Sequence, residues 1–203
     1  MIEDIYKTIA IPSKEILYKD RKSKFFGRSF PISAEEDVKL IIEKLRKKYQ
    51  TAGHICYAWQ LGVSEISYRA NDDGEPNNSA GMPIYGQIKA FELTNVLVAV
   101  PRVFGGTKLG VGGLIQAYKA TAQLTLEEST IIEKFISVEF EIKFEYKNLD
   151  KVMRLIKQLD LIIKQQKMEL SCSIIIIARK SLEGKIFKIL QELHEISFKK
   201  LEG

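Results

Sequence analysis

Three groups of residues hold types and spacings that chemistry uses. The first is acidic: Asp72, Asp73 and Glu75 fall within four positions of the polar stretch RANDDGEPNNSAG. Carboxylates clustered on a loop suit three tasks. They hold Mg²⁺ through oxygen ligands, pair with an arginine such as Arg69 or Arg102, or build turns and cap backbone N–H groups, with Gly74 supplying a positive φ. The second group is the glycine-rich run FGGTKLGVGGL, with Gly105, Gly106, Gly110, Gly112 and Gly113 around Lys108, directly before a helix. Backbone N–H groups at a helix start favour anions, and glycines let a phosphate come close. The run lacks both GxxxxGK[ST] and GxGxxG, so it is neither of the familiar nucleotide loops. Tight packing between strand and helix is the competing reading. The third group is His54 and Cys56, two apart in an apolar, strand-like stretch and therefore on one face. Cysteine beside histidine is the pairing of thiol nucleophiles. No third, orienting residue can be named, so no catalytic residue is assigned.

If the strands before the acidic and glycine-rich loops are neighbours in one sheet, both loops lie at one end of it. Asp72, Asp73 and Glu75 then approach Arg102 and Lys108, with Gly105, Gly106, Gly110, Gly112 and Gly113 as an anion-binding wall and His54 and Arg69 in the cleft. The elements that must achieve this are legible in outline. Glu15–Tyr18 and Phe25–Ile32 read as strands joined by the charged turn DRKSK. Ser33 opens a helix with Glu36 as its capping-box partner. Val38, Ile41, Ile42, Leu45 and Tyr49 follow at helical spacing. His54–Leu61 and Ile66–Tyr68 look like a strand pair, and RANDDGEPNNSAG like a loop. Ser79 and Pro83 start a helix carrying Ile84, Ile88 and Phe91 inward, and Val96–Val100 is a buried strand. A helix from about Gly113 to Leu126 follows the glycine loop.

After Ile136 the pattern changes. Val138, Phe140, Ile142 and Phe144 alternate with charged residues, marking a half-buried strand. Asn148 caps a helix with Leu149, Val152, Met153 and Ile156 on one face. Strands over Leu161–Met168 and Ser173–Ala178, a helix opened by Ser181 and a strand over Ile196–Leu201 complete a βαββαβ order, the arrangement of ferredoxin-like domains. The expected architecture is α+β in two domains, residues 1–130 and 136–203.

The composition of the 203 residues, 45% apolar and 28% charged, is that of a globular chain. No apolar run approaches the ~20 residues of a membrane span. The N-terminal MIEDIYKTIAIPSKE has acids where a secretory signal has a basic region, so a cytoplasmic location without membrane contact is expected. Two widely separated cysteines, Cys56 and Cys172, form no disulfide framework or zinc site, and buried free thiols are the plain reading. No cofactor is expected beyond the Mg²⁺ left open above. The net charge of +5, with +2 in the first 130 residues and +3 in the remaining 73, permits nucleic-acid contact without requiring it. Lys164, Lys167, Lys185 and Lys188 are candidate contacts in the tail.

Four phrases resemble the Impact/YigZ family in order and spacing: SKF at Ser23–Phe25, HICYA at His54–Ala58, DDGEP followed by SAGMPI across Asp72–Ile84, and NVLVAV-PRVFGGTKLGVGGLIQAY across Asn95–Tyr118. The chain departs from the family at Asn77 and Asn78, at Pro101 and Val103 around Arg102, and at Gln116. The resemblance implies a first domain with the ribosomal-protein domain 2-like fold, shared with ribonuclease PH and domain IV of elongation factor G. The second domain, matched in architecture, resembles domain V of that factor. A translation-associated protein binding RNA or the ribosome is therefore the leading expectation. An enzyme acting on a small phosphorylated or peptide substrate in the DDGEP/GGTKLG cleft is the alternative. A protein-interaction module in a stress response, with a protein partner, is the third. Eukaryotic relatives carry a further N-terminal domain with a regulatory role; this chain begins at the shared domain, so that role is not expected of it.

Overall fold

A computed structural model describes residues 4–201, which fall into two compact units: residues 6–134, and residues 135–201 together with 4–5. In the first unit, β2 (Ile16–Asp20) and β3 (Ser23–Pro31) form a hairpin. Its two linking residues, Arg21 and Lys22, both have positive φ (42° and 66°), as a two-residue turn between right-twisted strands demands. Helix α1 (Glu35–Lys48) follows. Ser33 does not cap it. Ala34 takes the cap position, and the Asp37 carboxylate accepts the backbone N–H groups of Ser33 and Ala34 at 2.8 and 3.1 Å. The carboxylate three residues into the helix does the work, so moving the cap by one residue exchanges Glu36 for Asp37.

Strands β4 (His54–Leu61), β5 (Ser67–Asn71) and β6 (Val96–Val103) complete an antiparallel sheet in the order β2-β3-β6-β4-β5. Helices α2 (Gly81–Ala90) and α3 (Gly110–Glu127) cover one face. There Phe25, Cys56, Ala58, Val98 and Val100 from the strands meet Ile84, Ile88, Leu114, Tyr118 and Ala122 from the helices. The alternate strand residues point the other way: Trp59, Leu61 and Leu97 pack with Val38, while Ile55 and Ala99 pack with Leu45 of α1.

Several boundaries differ from the sequence expectation. Arg69, Ala70 and Asn71 belong to β5, because they continue its pairing with Trp59, Ala58 and Tyr57. β6 runs on through Pro101 and Arg102 to Val103, so Arg102 is a strand residue. α3 begins at Gly110, three residues early, placing Gly110, Gly112 and Gly113 in its first turn. Two strands were not expected: β1 (Ile5–Ile9) and β7 (Ile131–Phe135) form a sheet of their own.

The second unit contains β8 (Ser137–Glu145), α4 (Leu149–Gln158), β9 (Ile162–Lys167), β10 (Ser171–Arg179), α5 (Glu183–Glu192) and β11 (Ile196–Leu201). The antiparallel sheet order β11-β8-β10-β9 is the ferredoxin-like one. Val138, Phe140, Ile142 and Phe144 face a core with Val152, Ile156, Ile186 and Leu190. Asn148 stands at the cap of α4, but its side chain reaches toward the Glu195 carbonyl at 3.5 Å and caps nothing. A 3₁₀ turn over Lys180–Leu182 precedes α5, which therefore starts two residues after Ser181.

Candidate functional site

The register of β4 against β6 sets His54 opposite Arg102. Both project to the face covered by α2 and α3, as the even-numbered positions of these strands all do. The acidic loop and the glycine loop leave the same end of the sheet. Between them lies a cleft of about 390 Å³ whose lining includes His54, Glu75, Arg102, Phe104 and Lys108, with Gly110 and Leu114 of α3.

The three acids of the first loop separate in role. Asp72 is structural: its two oxygens accept the N–H groups of Asn78, Ala80 and Gly81 at 2.8–2.9 Å, capping α2. Asp73 accepts the Ile55 N–H at 2.6 Å and the Arg46 guanidinium at 2.7 Å, and it takes a positive φ of 43°. The oxygens of both aspartates thus accept N–H donors. Among the described residues no group of three or more His, Cys, Asp or Glu side chains is placed to share a metal ion.

Glu75 alone enters the cleft. It is 8% exposed, and its Oε1 accepts the Arg102 Nη1 at 2.6 Å and the Tyr118 hydroxyl at 2.8 Å. Arg102, 6% exposed, lies with its guanidinium 5.5 Å from the centroids of both Phe25 and Phe104. Its Nη2 has only a long contact of 3.5 Å to Ser23 Oγ, and its buried Nε has no partner. Arg69 is not part of this group. It pairs with Trp59 across β4–β5 and lines a separate hollow with Tyr57, Lys39 and Glu43 on the α1 face. Odd and even strand positions are on opposite faces, so Arg69 and His54 cannot share a cleft.

Cys56 is a buried free thiol, as the plain reading of the sequence has it, and does not pair with His54. Cys56 points inward, and its thiol is within hydrogen-bond reach of the Asp72 carbonyl at 3.0 Å and the Tyr118 hydroxyl at 3.2 Å. Burial pushes this thiol far above its ordinary pKa, and the nearby Glu75, Asp73 and Asp72 charges add to the effect, outweighing the Tyr118 hydrogen bond. A thiol held protonated is a poor nucleophile. His54 Nδ1 lies 2.7 Å from the Asp73 carbonyl. An oxygen that can only accept requires Nδ1 to donate, which leaves Nε2 as an acceptor in the neutral ring.

The glycines also divide. A Cβ on Gly105 would fall 2.0 Å from the Lys22 carbonyl carbon, so this glycine lets the loop close on the β2–β3 hairpin. The Gly105 N–H donates to Ser23 Oγ there at 3.2 Å. Gly106 and Gly110 have positive φ, 88° and 74°. Gly112 has open space around it, and a Cβ on Gly113 would press on Leu109 at 3.1 Å. No side chain caps α3 and no acid stands in its first turn. Its leading N–H groups accordingly carry the positive end of an 18-residue helix.

Sequence reasoning missed Tyr118 and Phe104. Tyr118 was findable, since it follows Leu114 by four residues on the inner face of α3. That its hydroxyl would meet Glu75, 43 positions earlier, left no local signal.

The family model described as the Impact N-terminal domain matches residues 21–126. The Bacillus subtilis protein "IMPACT family member YvyE" is 31% identical over 144 residues, covering 71% of this chain and 66% of the relative. "IMPACT family member YigZ" of Escherichia coli is 31% identical over 142 residues, 69% of this chain and 70% of the relative. The chain thus spans about two thirds of the length of these relatives. A crystal structure described only as that of a hypothetical protein superposes with a TM-score of 0.71 over 100% of this chain and 98% of its own, at 23% identity. At that identity the likeness establishes the shared two-unit fold.

Proposed function

The chain belongs to the Impact N-terminal domain family, and on that footing we propose that it is a translation-associated binding protein that meets RNA or the ribosome at the rim of the cleft. The observation carrying this reading is the distribution of unpaired cations. Lys108, and Arg21 and Lys22 at the hairpin turn closed on by Gly105, have no acidic partner among the described ion pairs. Lys108 stands beside the uncapped start of α3, so this cation and the helix dipole favour the same polyanion. Of the four tail lysines, Lys185 and Lys188 stand in no described ion pair, and the other two support the reading less. Lys164 pairs with Glu139 and Lys167 with Glu169, and a lysine already paired with a carboxylate gains less from a phosphate.

The test is a filter-binding titration of RNA, and co-sedimentation with ribosomes, across a series of salt concentrations. Counterion release makes log K fall linearly with log salt, and removing one phosphate-contacting lysine lowers that slope by about one. Lys108→Ala is expected to do this with little change in melting temperature, because an exposed lysine adds little stability. Absence of RNA or ribosome retention even at low salt sinks the reading.

A further inference from the structure

We propose that the cleft receives a single unstacked nucleotide, with its base against Phe104 and its phosphate between Lys108 and the first turn of α3. This deepens the reading above, which places RNA at the cleft rim, by naming what enters. The volume of about 390 Å³ falls in the small-ligand range of roughly 300–1,000 Å³. A wall of Phe104, Leu109, Val111 and Leu114 makes most of the lining apolar, and polar groups converge at only a few points. That combination fits a flat, weakly polar ring carrying one strongly charged group, and it does not fit free phosphate alone.

Phe104 is 52% exposed, large and apolar, at the mouth of the cleft. Arg102 is packed within 5.5 Å of its ring centroid, so part of the ring's surroundings is already occupied by a cation that holds it in place. What stays exposed can take a base. Every base has a π-face, so such a platform tolerates any sequence. Bases in a duplex are stacked and offer only their edges, and only a single-stranded or terminal nucleotide can enter. At the other end, Gly110 and Gly112 leave the first turn of α3 without side chains in the way. Uncapped N–H groups there, with Lys108 beside them, favour an anion. Independently of the helix start, the buried Arg102 side chain lines the same cleft and carries an Nε that has no partner. His54 Nε2 offers the complementary acceptor on the opposite strand.

Calorimetric titration of the full chain with AMP, CMP, adenosine and inorganic phosphate tests the inference, with single-stranded and duplex RNA as separate arms. AMP and CMP should bind similarly, and AMP more tightly than adenosine or inorganic phosphate. Phe104→Leu keeps an apolar side chain but removes the ring, and should weaken AMP about tenfold. Lys108→Ala should abolish most of the advantage of AMP over adenosine. Both variants should melt like the wild type, which separates a lost contact from a lost fold. Retention of single-stranded RNA without any AMP binding, or with Phe104→Leu binding AMP like the wild type, overturns the nucleotide pocket and leaves the RNA reading standing. Binding of AMP with no retention of either RNA supports the pocket and removes the RNA reading. Failure of every ligand removes both.

Discussion

The buried group beneath the cleft is a chain of donors and acceptors: the Cys56 thiol to the Tyr118 hydroxyl, that hydroxyl to Glu75, and Glu75 to Arg102. An ion pair taken out of water gives little net stability, but breaking one side of it leaves a buried charge and costs several kcal/mol. The Glu75–Arg102 pair therefore fixes the geometry of the cleft more than it strengthens the fold. The thiol end of the chain has a measurable signature. Burial raises the folded pKa of Cys56, so the folded state keeps a proton that the unfolded chain releases above about pH 8.5. Its contribution is fully present below that pH and is lost as pH rises further, at up to about 1.4 kcal/mol per pH unit. Cys56→Ser keeps a donor for Tyr118 and does not titrate. Urea denaturation between pH 8 and 9.5 should show wild-type stability falling more steeply than that of Cys56→Ser. Parallel curves would mean that the thiol is not held protonated.

Helix α3 is pressed unusually close to β3. A Cβ on Gly27 would lie 2.0 Å from Thr125 Oγ1 and 3.0 Å from Thr121 Cγ2, both on α3. Those threonines are fully buried, and their hydroxyls are returned to the carbonyls of Thr121 and Ala117, one turn back along the helix. The inner face of α3 is thus small and self-satisfied where it crosses β3. Gly27→Ala should destabilise the protein by about 1–3 kcal/mol, as overpacking does. Gly86 is the contrast, exposed in the middle of α2 with nothing within 4 Å of a new Cβ. Gly86→Ala should instead stabilise by about 0.5–1 kcal/mol. Denaturant midpoints for the two variants, read side by side, check the pair. Equal effects would refute the close approach.

At the scale of the chain, the second unit closes its core from its own residues: every member of the buried cluster lies between Val138 and Leu190. A fragment of residues 136–203 is therefore expected to fold alone, with a cooperative thermal transition followed by circular dichroism. A flat, featureless melt would mean that the unit depends on the rest of the chain. No helix among the described residues is long and apolar enough to cross a membrane. The outer face of the second unit's sheet carries charges of both signs, such as Glu141 with Lys143 and Lys199. A mixed face offers a polyanion no consistent attraction, which is why we propose the RNA contact for the first unit.

Much of this protein was legible in its sequence because the deciding signals are local. Alternation from Val138 to Glu145, helical spacing from Val38 to Leu45 and the apolar run at Val96 specify element type through the periods of two and 3.6. The order of elements then gives the ferredoxin-like unit, and the four phrases from Ser23 to Tyr118 give the family. What the sequence could not decide was which chemical groups meet. Arg69 and Arg102 look equally suited to the acidic loop, yet strand register sends one to the α1 face and buries the other against Glu75. Asp72 and Glu75 are three positions apart, yet one caps a helix and the other lines the cleft. β1 and β7 escaped notice because each is short and finds its partner more than a hundred residues away. Side-chain alternation turns a shift of one residue into a change of face, and pairing between distant strands is settled only when the whole sheet closes. Chemistry between distant residues is therefore decided by the tertiary structure, whereas the elements that carry those residues are decided by their neighbours in sequence.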